Sequence, residues 1–192
     1  MIDHYLLTLP ILALLCLIFS KKSLLYPLMI VMVFVLNLPF LSEGLSLVDF
    51  LYSFVNRLSF FSLLLCFIVI LQTFFSQKPL YLFLSMKAYA FIFITHLIFF
   101  ILFLQLIPID LYYQQPKIHL LVLFPMIIIS YFFDKILAYL YLICFFAYII
   151  KIFDRINIFD YYFDALGLVI AFVAFILTFR KRKFNNEKSS SL

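Results

Sequence analysis

The chain has 192 residues, of which 68% are apolar and 12% are charged. A soluble domain is about half apolar and about a quarter charged, and one of this size could not bury so many Phe, Leu and Ile side chains. The composition therefore excludes an ordinary soluble fold and predicts an integral membrane protein. The formal net charge of +5 does not indicate nucleic-acid binding, because much of the excess lies in one short tail, residues 180–183.

Long apolar segments follow one another along the chain. Runs such as residues 91–104 lack the alternation of polar and apolar positions that a barrel strand shows, so the segments are predicted to be helices. We therefore expect an all-α, polytopic membrane helix bundle with seven transmembrane helices. The predicted spans are 5–19, 23–41, 58–75, 88–107, 118–133, 136–153 and 161–179.

The fifth and sixth spans are separated by one charged pair. A single helix over residues 118–153 would rise about 54 Å at 1.5 Å per residue, whereas the hydrocarbon core of a bilayer is about 30 Å thick. Dividing this stretch at Asp134 and Lys135 gives two short helices with both charges at the surface. The sequence therefore predicts a tight hairpin at these two residues, with Pro125 as a site for a kink in the fifth span.

The distribution of Lys and Arg predicts the orientation. With seven spans and the N-terminus outside, most basic loop residues lie on the cytoplasmic side, as the positive-inside rule requires. We predict one transmembrane domain, residues 1–179, and a basic, disordered cytoplasmic tail, residues 180–192. The expected partners are the lipid bilayer, including its anionic lipids, and other membrane proteins.

The segment from residue 46 to residue 57 carries its polar side chains on one helical stripe. These residues are Ser46, Asp49, Ser53, Asn56 and Arg57, and their spacing predicts an amphipathic helix in the outer interface or an extension of the third span. Ser46 and Asp49 also fit a capping box. The helix either anchors the protein, or it forms one wall of a polar site with Asp49 and Arg57 turned inward.

A second polar segment precedes the seventh span. Asn157, Asp160, Asp164 and Gly167 follow one another at spacings of three, four and three, which predicts a shared helix face. A carboxylate as deep as Asp164 needs a partner, and the basic side chains expected on the same side are Arg155 and Arg57. The alternative is that the two acids cap a helix N-terminus. The candidate outer-face polar site comprises Asp49, Arg57, Arg155, Asn157, Asp160 and Asp164.

Two resemblances involve this second segment. The pattern D-x-x-x-D-x-x-G at Asp160, Asp164 and Gly167, after Arg155, resembles the D-x-x-x-N-x-x-G ending of the teicoplanin-resistance (VanZ-like) membrane proteins, with Asp in place of their Asn. This resemblance implies an enzyme or binder of a lipid-linked substrate at the outer face. Residues 59–65 and 157–164 also resemble segments of uncharacterised bacterial inner-membrane proteins, which implies the cytoplasmic membrane of a bacterium.

His96 lies near the middle of the fourth predicted span. An ionisable side chain at this depth indicates a functional role by default, although a neutral histidine with one hydrogen bond also serves as a core residue. We expect no cofactor and no metal, since His4 and His119 lie near the outer surface and cannot share a haem with His96. Cys16, Cys66 and Cys144 lie in apolar runs and are predicted to be core residues.

Three functions follow from these residues. The favoured one is a non-catalytic membrane protein, an accessory subunit of a larger assembly, because the sequence contains no recognisable nucleophile, metal or phosphate-binding motif. The second is an enzyme or binder of a lipid-linked substrate at the outer face. The third is a small-solute or proton-coupled transporter that uses His96 and Asp164, which requires a polar path between mid-membrane and the outer face.

Overall fold

The protein is helical throughout the part of the chain that its structure, a computed structural model, describes. Those residues are 5–18, 22–39, 44–55, 58–75, 83–107, 111, 112, 114, 116–153 and 157–190. A short 3₁₀ helix, Tyr5–Leu7, leads into the first α-helix. The α-helices are α1 Thr8–Ile18, α2 Lys22–Asn37, α3 Leu47–Val55, α4 Phe60–Phe75, α5 Met86–Phe103, α6 Pro116–Phe133, α7 Lys135–Ile149, α8 Phe159–Tyr162 and α9 Ala165–Ser190.

Two of these helices are long and apolar enough to cross a membrane. They are Met86–Phe103 and the stretch Phe159–Arg180, which combines α8 with most of α9. The apolar helices Leu24–Asn37, Phe60–Phe75, Lys117–Phe133 and Lys135–Ile149 are shorter. Large apolar side chains are exposed along several of them, including Phe132, which is 82% exposed, and Leu121, which is 74% exposed. Such surfaces are suited to lipid or to a protein partner rather than to water.

The predicted break between the fifth and sixth spans is confirmed. Helix α6 ends at Phe133 and α7 begins at Lys135, while Asp134 between them has an extended backbone with φ −164°. The two helices then run back along each other, since the rings of Phe124 and Phe145 lie 5.5 Å apart. The charged pair therefore ends one helix and starts the next, and Pro125 lies inside α6 without interrupting it.

The chain divides into two compact units. The first comprises Met1–Leu58 and Leu63–Leu80, and the second comprises Ser59–Ser62 and Tyr81–Leu192. In the first unit α1 packs against α2, with a core formed by Leu12, Leu25 and Met29.

Helix α3 begins with the capping box that the sequence predicts. The Ser46 amide and hydroxyl donate to Asp49 Oδ2 at 2.9 and 2.6 Å, and the Asp49 amide donates to Ser46 Oγ at 3.1 Å. The box satisfies N–H groups that a helix start leaves without intrahelical partners. Asp49 therefore stabilises the start of its own helix.

In the second unit α5 and α9 are the most extensively packed pair. Three small residues of α9, Gly167, Ala171 and Ala174, are buried at spacings of four and three, which places them on one helix face. Gly167 meets His96 of α5, so this face lies against α5. Small residues let two helix backbones approach closely, as is common between membrane helices.

Two features of the seventh predicted span differ from expectation. The helix is interrupted, because Phe163 is extended with φ −124° and ψ 132° and Asp164 follows it outside α8 and α9. Asn157, Asp160, Asp164 and Gly167 therefore do not share one continuous helix face. At the other end, the backbone of α9 continues to Ser190 where a disordered tail was predicted. Lys and Arg, which dominate residues 180–183, are good helix formers and continue a helix that the apolar span has already nucleated.

Candidate functional site

The Asp164 carboxylate joins the N-terminal ends of two helices in the second unit. Its Oδ2 accepts the backbone N–H of Ser59 at 2.7 Å, just before α4. Its Oδ1 accepts the Ser62 hydroxyl at 2.6 Å and the backbone N–H of Gly167 at 2.7 Å, in the first turn of α9. Both carboxylate oxygens are therefore occupied by donors of the protein itself.

Local sequence explains why the donors are available there. Asp164 stands three residues before Gly167, the usual relation between an N-cap side chain and the amide that it accepts. Ser59 has the same relation to Ser62, whose amide donates to Ser59 Oγ at 3.1 Å. Since the N-terminal end of a helix carries a partial positive charge, one carboxylate between two such ends is favourably placed. Helix capping by itself explains why a carboxylate is favourable at residue 164. The sequence had suggested an ion pair with an arginine for the same purpose.

His96, in the middle of α5, lies beside the same group of residues. Ser59, Ser62, His96, Asp164 and Gly167 are called the cluster below. The His96 side chain is 2% exposed, and its Nδ1 lies 2.9 Å from the carbonyl oxygen of Ile92, one turn earlier. The rings of Phe61 and Phe163 flank it, with centroids 5.6 and 5.1 Å from the imidazole centroid. The other ring nitrogen, Nε2, is buried and has no hydrogen-bond partner among the residues that the structure describes.

Gly167 marks the point where the cluster is tightest. A Cβ added to this residue would lie 2.5 Å from His96 Nε2 and 2.7 Å from Ser62 Oγ. Both distances are too short for any side chain to fit without moving the histidine or the serine. The absence of a side chain at residue 167 therefore allows His96, Ser62 and Asp164 to gather around one helix turn.

Asn157 and Asp160 take part in a different contact, with Tyr112. The Asn157 side-chain amide donates to the Tyr112 carbonyl oxygen at 2.7 Å, and the Tyr112 hydroxyl donates to Asp160 Oδ1 at 2.8 Å. Asn157 Oδ1 also accepts the amide of Phe159 at 3.0 Å, at the start of α8. These bonds fix the segment before α8 to residues near the start of α6.

The structure thus distributes the predicted outer-face site among separate contacts. Asn157 and Asp160 share the Tyr112 contact, whereas Asp164 belongs to the cluster with His96. Asp49 lies in the first unit within its capping box. Arg57 and Arg155, the predicted basic partners, lie outside the described residues.

Sequence reasoning missed Ser59, Ser62 and the role of Gly167 beside His96. The serines lie in a segment that resembled other membrane proteins, but their spacing at the start of a predicted span was the signal for an N-cap. Buried tyrosines extend the polar interior: the Tyr162 hydroxyl donates to the Tyr141 carbonyl oxygen at 2.9 Å. No pattern in the sequence indicates that these groups meet.

The cluster does not have the order of a hydrolytic triad. In a triad the histidine stands between the acid and the serine, whereas here Ser62 donates directly to Asp164. Ser62 is also fully buried, which leaves no access for a substrate. Among the residues that the structure describes, no three His, Cys, Asp or Glu side chains form a group that could hold a metal ion.

Comparison of this chain with family models, curated proteins and solved structures returned no match. The fold and the cluster define the class of protein. It is a helical protein with apolar, membrane-compatible helices and a buried polar cluster at a junction of helix ends.

Proposed function

We propose that this protein is a non-catalytic, multi-pass protein of a bacterial inner membrane, and that it acts as an accessory subunit of a larger membrane assembly. The observation that carries the proposal is that Asp164 accepts hydrogen bonds from Ser59, Ser62 and Gly167 and so stabilises two helix ends. A catalytic base or a ligand-binding carboxylate has to offer a lone pair to an incoming molecule. Asp164 uses its oxygens to hold helix ends together.

The multi-pass arrangement is supported by the agreement between helices and predicted spans. Each of the seven predicted spans corresponds to one described helix, or in the last case to α8 and α9 together. Exposed apolar side chains such as Phe132 and Leu121 would face lipid or a partner subunit. Helices of 15 or 16 residues, such as α7 and α4, would span with locally thinned bilayer or with neighbours covering their ends.

An enzyme or binder of a lipid-linked substrate remains the alternative that the VanZ-like resemblance suggests. It would need the acids of residues 160 and 164 to face one cavity together with Arg155. The Tyr112 contact of Asp160 and the helix-capping role of Asp164 favour a structural use of both acids instead.

The proposal is tested with the full chain, tagged and expressed at a low level in a bacterial membrane. After solubilisation in a mild detergent, we expect the protein to migrate in a native gel as part of a complex larger than its own 22.9 kDa plus detergent. The purified chain alone, reconstituted in liposomes, should neither move solutes nor modify lipid-linked sugars. Solute uptake or substrate turnover by the lone chain would overturn the accessory role.

A further inference from the structure

Helices α5 and α7 begin side by side in the second unit. The Ser85 amide donates to Asp134 Oδ2 at 2.8 Å, and the Ser85 hydroxyl donates to the Phe133 carbonyl oxygen at 3.2 Å. Ser85 Oγ also accepts the amide of Ala88 at 3.2 Å, in the first turn of α5. Asp134 Oδ1 accepts the amide of Ile136 at 2.9 Å, in the first turn of α7. One carboxylate therefore lies between two helix N-termini, and each of its oxygens accepts a backbone amide.

A lysine stands in the first turn of each of these two helices. Lys87 in α5 and Lys135 in α7 are both exposed, and neither first turn contains an acid. The N-terminal end of a helix carries about half a positive charge, so a cation there is unfavourable for the helix itself. Two lysines, two helix ends and the Asp134 carboxylate together leave a net charge of about +2. This charge does not stabilise the helices, and it favours an anion beside them.

The helix α9 brings a third cation to the same level. It runs antiparallel to α5, because its start meets the middle of α5 and, further along, the rings of Phe172 and Phe93 lie 5.3 Å apart. Arg180 lies about two turns beyond Phe172, a rise of about 12 Å. Ser85 precedes Phe93 by the same distance, which places Arg180 level with the start of α5. The Arg180 side chain is exposed.

Exposed apolar side chains continue from this charged end along α6 and α7. They include Tyr131, Phe132, Phe133, Ile136 and Tyr139. The Phe133 ring stacks on Phe91 of α5 with centroids 5.1 Å apart, and Lys135 Nζ lies 5.9 Å from the centroid of the Tyr131 ring, within range of a cation–π contact. A small soluble anion would leave this surface uncovered, whereas a phospholipid has apolar chains that cover it.

We propose that the paired starts of α5 and α7, together with Lys87, Lys135 and Arg180, bind the phosphate headgroup of an anionic phospholipid. Its acyl chains lie along the exposed apolar side chains of α6 and α7. Basic side chains between helices at the cytoplasmic surface are a recurrent form of anionic-lipid site, and the orientation predicted from the sequence puts these residues there. The inference goes beyond the accessory role and does not depend on it, because a lone chain can bind the same lipid.

The test is native mass spectrometry of the full chain in an uncharged detergent, with phosphatidylglycerol or phosphatidylcholine of the same acyl chains added. We expect the chain to bind phosphatidylglycerol more tightly. Lys87→Gln with Lys135→Gln should weaken phosphatidylglycerol binding by about 25-fold, since each basic side chain contributes about fivefold. Lys117→Gln with Lys151→Gln removes the same charge from two other exposed lysines and should leave binding unchanged.

Two further measurements keep the test decisive. Arg180→Gln, a single change on the exposed side of α9, should weaken phosphatidylglycerol binding by about fivefold even if the double variant is unstable. Glycerol phosphate, which is the headgroup without acyl chains, should not displace the bound lipid. Equal affinity for the two lipids, displacement by glycerol phosphate, or unchanged phosphatidylglycerol binding in the Lys87/Lys135 and Arg180 variants would each overturn the proposal.

Discussion

At the scale of single residues, Asp164 caps the N-terminal ends of two helices. Its three donors are spread over the beginnings of α4 and α9, and two of them are backbone N–H groups that have no intrahelical partner. An asparagine at residue 164 would have one acceptor oxygen and one donor nitrogen. It could not accept hydrogen bonds with both of its terminal atoms, as the carboxylate does. Replacement of this acid should therefore cost more than replacement of the other acid in the segment.

We predict that Asp164→Asn lowers the free energy of unfolding by about 2–3 kcal/mol, the cost of an unsatisfied buried donor together with weakened charge–dipole contacts. Asp160→Asn, which keeps an oxygen for the Tyr112 hydroxyl, should cost under about 1 kcal/mol. Denaturant titration of each variant in the same detergent measures both values. Equal losses for the two variants would contradict the capping role of Asp164.

Gly167 provides a second prediction at this scale. Gly167→Ala gains about 1 kcal/mol in helix propensity, but its Cβ would meet His96 Nε2 at 2.5 Å, and overpacking of this kind costs about 1–3 kcal/mol or more. We expect a net loss of stability in thermal unfolding. The double variant with His96→Ala should lose less stability than the sum of the two single variants, because alanine at residue 96 leaves room for the Cβ added at residue 167. Strict additivity would show that the contact is absent.

How well the sequence predicts a contact depends on how far apart its two residues are along the chain. The Ser46–Asp49 box was predictable because its partners are three residues apart, within one helical turn. The Ser59–Asp164 bond joins residues separated by 105 positions, and no local pattern contains that pairing. For the same reason the sequence suggested arginines as partners of Asp164, whereas hydroxyl and backbone donors are the partners that the structure describes.

At the scale of helices, the sequence predicted positions well because apolar runs and charged breaks are strong local signals. The predicted amphipathic segment matches α3, Leu47–Val55, and the Asp134 break matches the boundary of α6 and α7. The interruption before α9 was missed. Asp164 had been placed by helical periodicity, which cannot distinguish a residue on a helix face from the N-cap of a new helix.

The α6–α7 hairpin depends on Asp134. Its Oδ1 accepts the amide of Ile136 at 2.9 Å, and its Oδ2 accepts the amide of Ser85 at 2.8 Å, just before α5. Asp134→Ala should therefore lower stability by about 1–3 kcal/mol, since it removes an N-cap and one further charged hydrogen bond. Lys135→Ala, at the exposed neighbouring residue, should change it by less than about 0.5 kcal/mol.

Thermal unfolding of these two variants in one detergent checks the hairpin prediction. A Lys135→Ala variant that loses as much stability as Asp134→Ala would show that general charge at the turn, rather than the two Asp134 hydrogen bonds, holds the hairpin together.

At the scale of the whole molecule, composition and helix length indicate association with a membrane. Within the described ranges, two helices satisfy the length and hydropathy of a span, and the shorter ones carry exposed apolar side chains. Seven crossings remain our proposal, based on the hairpin at Asp134 and on the excess of basic residues that this count places on one side. In this arrangement α8 and α9 together make the last crossing, which puts residue 155 outside and the basic end of α9 inside.

Cysteine accessibility tests this layout most directly. Cys16, Cys66 and Cys144 are replaced by alanine, and single cysteines are introduced at Arg155 or at Lys183. Intact cells and inverted membrane vesicles are then treated with a membrane-impermeant maleimide. We predict that the cysteine at 155 reacts in intact cells and the cysteine at 183 reacts in inverted vesicles; reaction of both from the same side would contradict the seven-span arrangement.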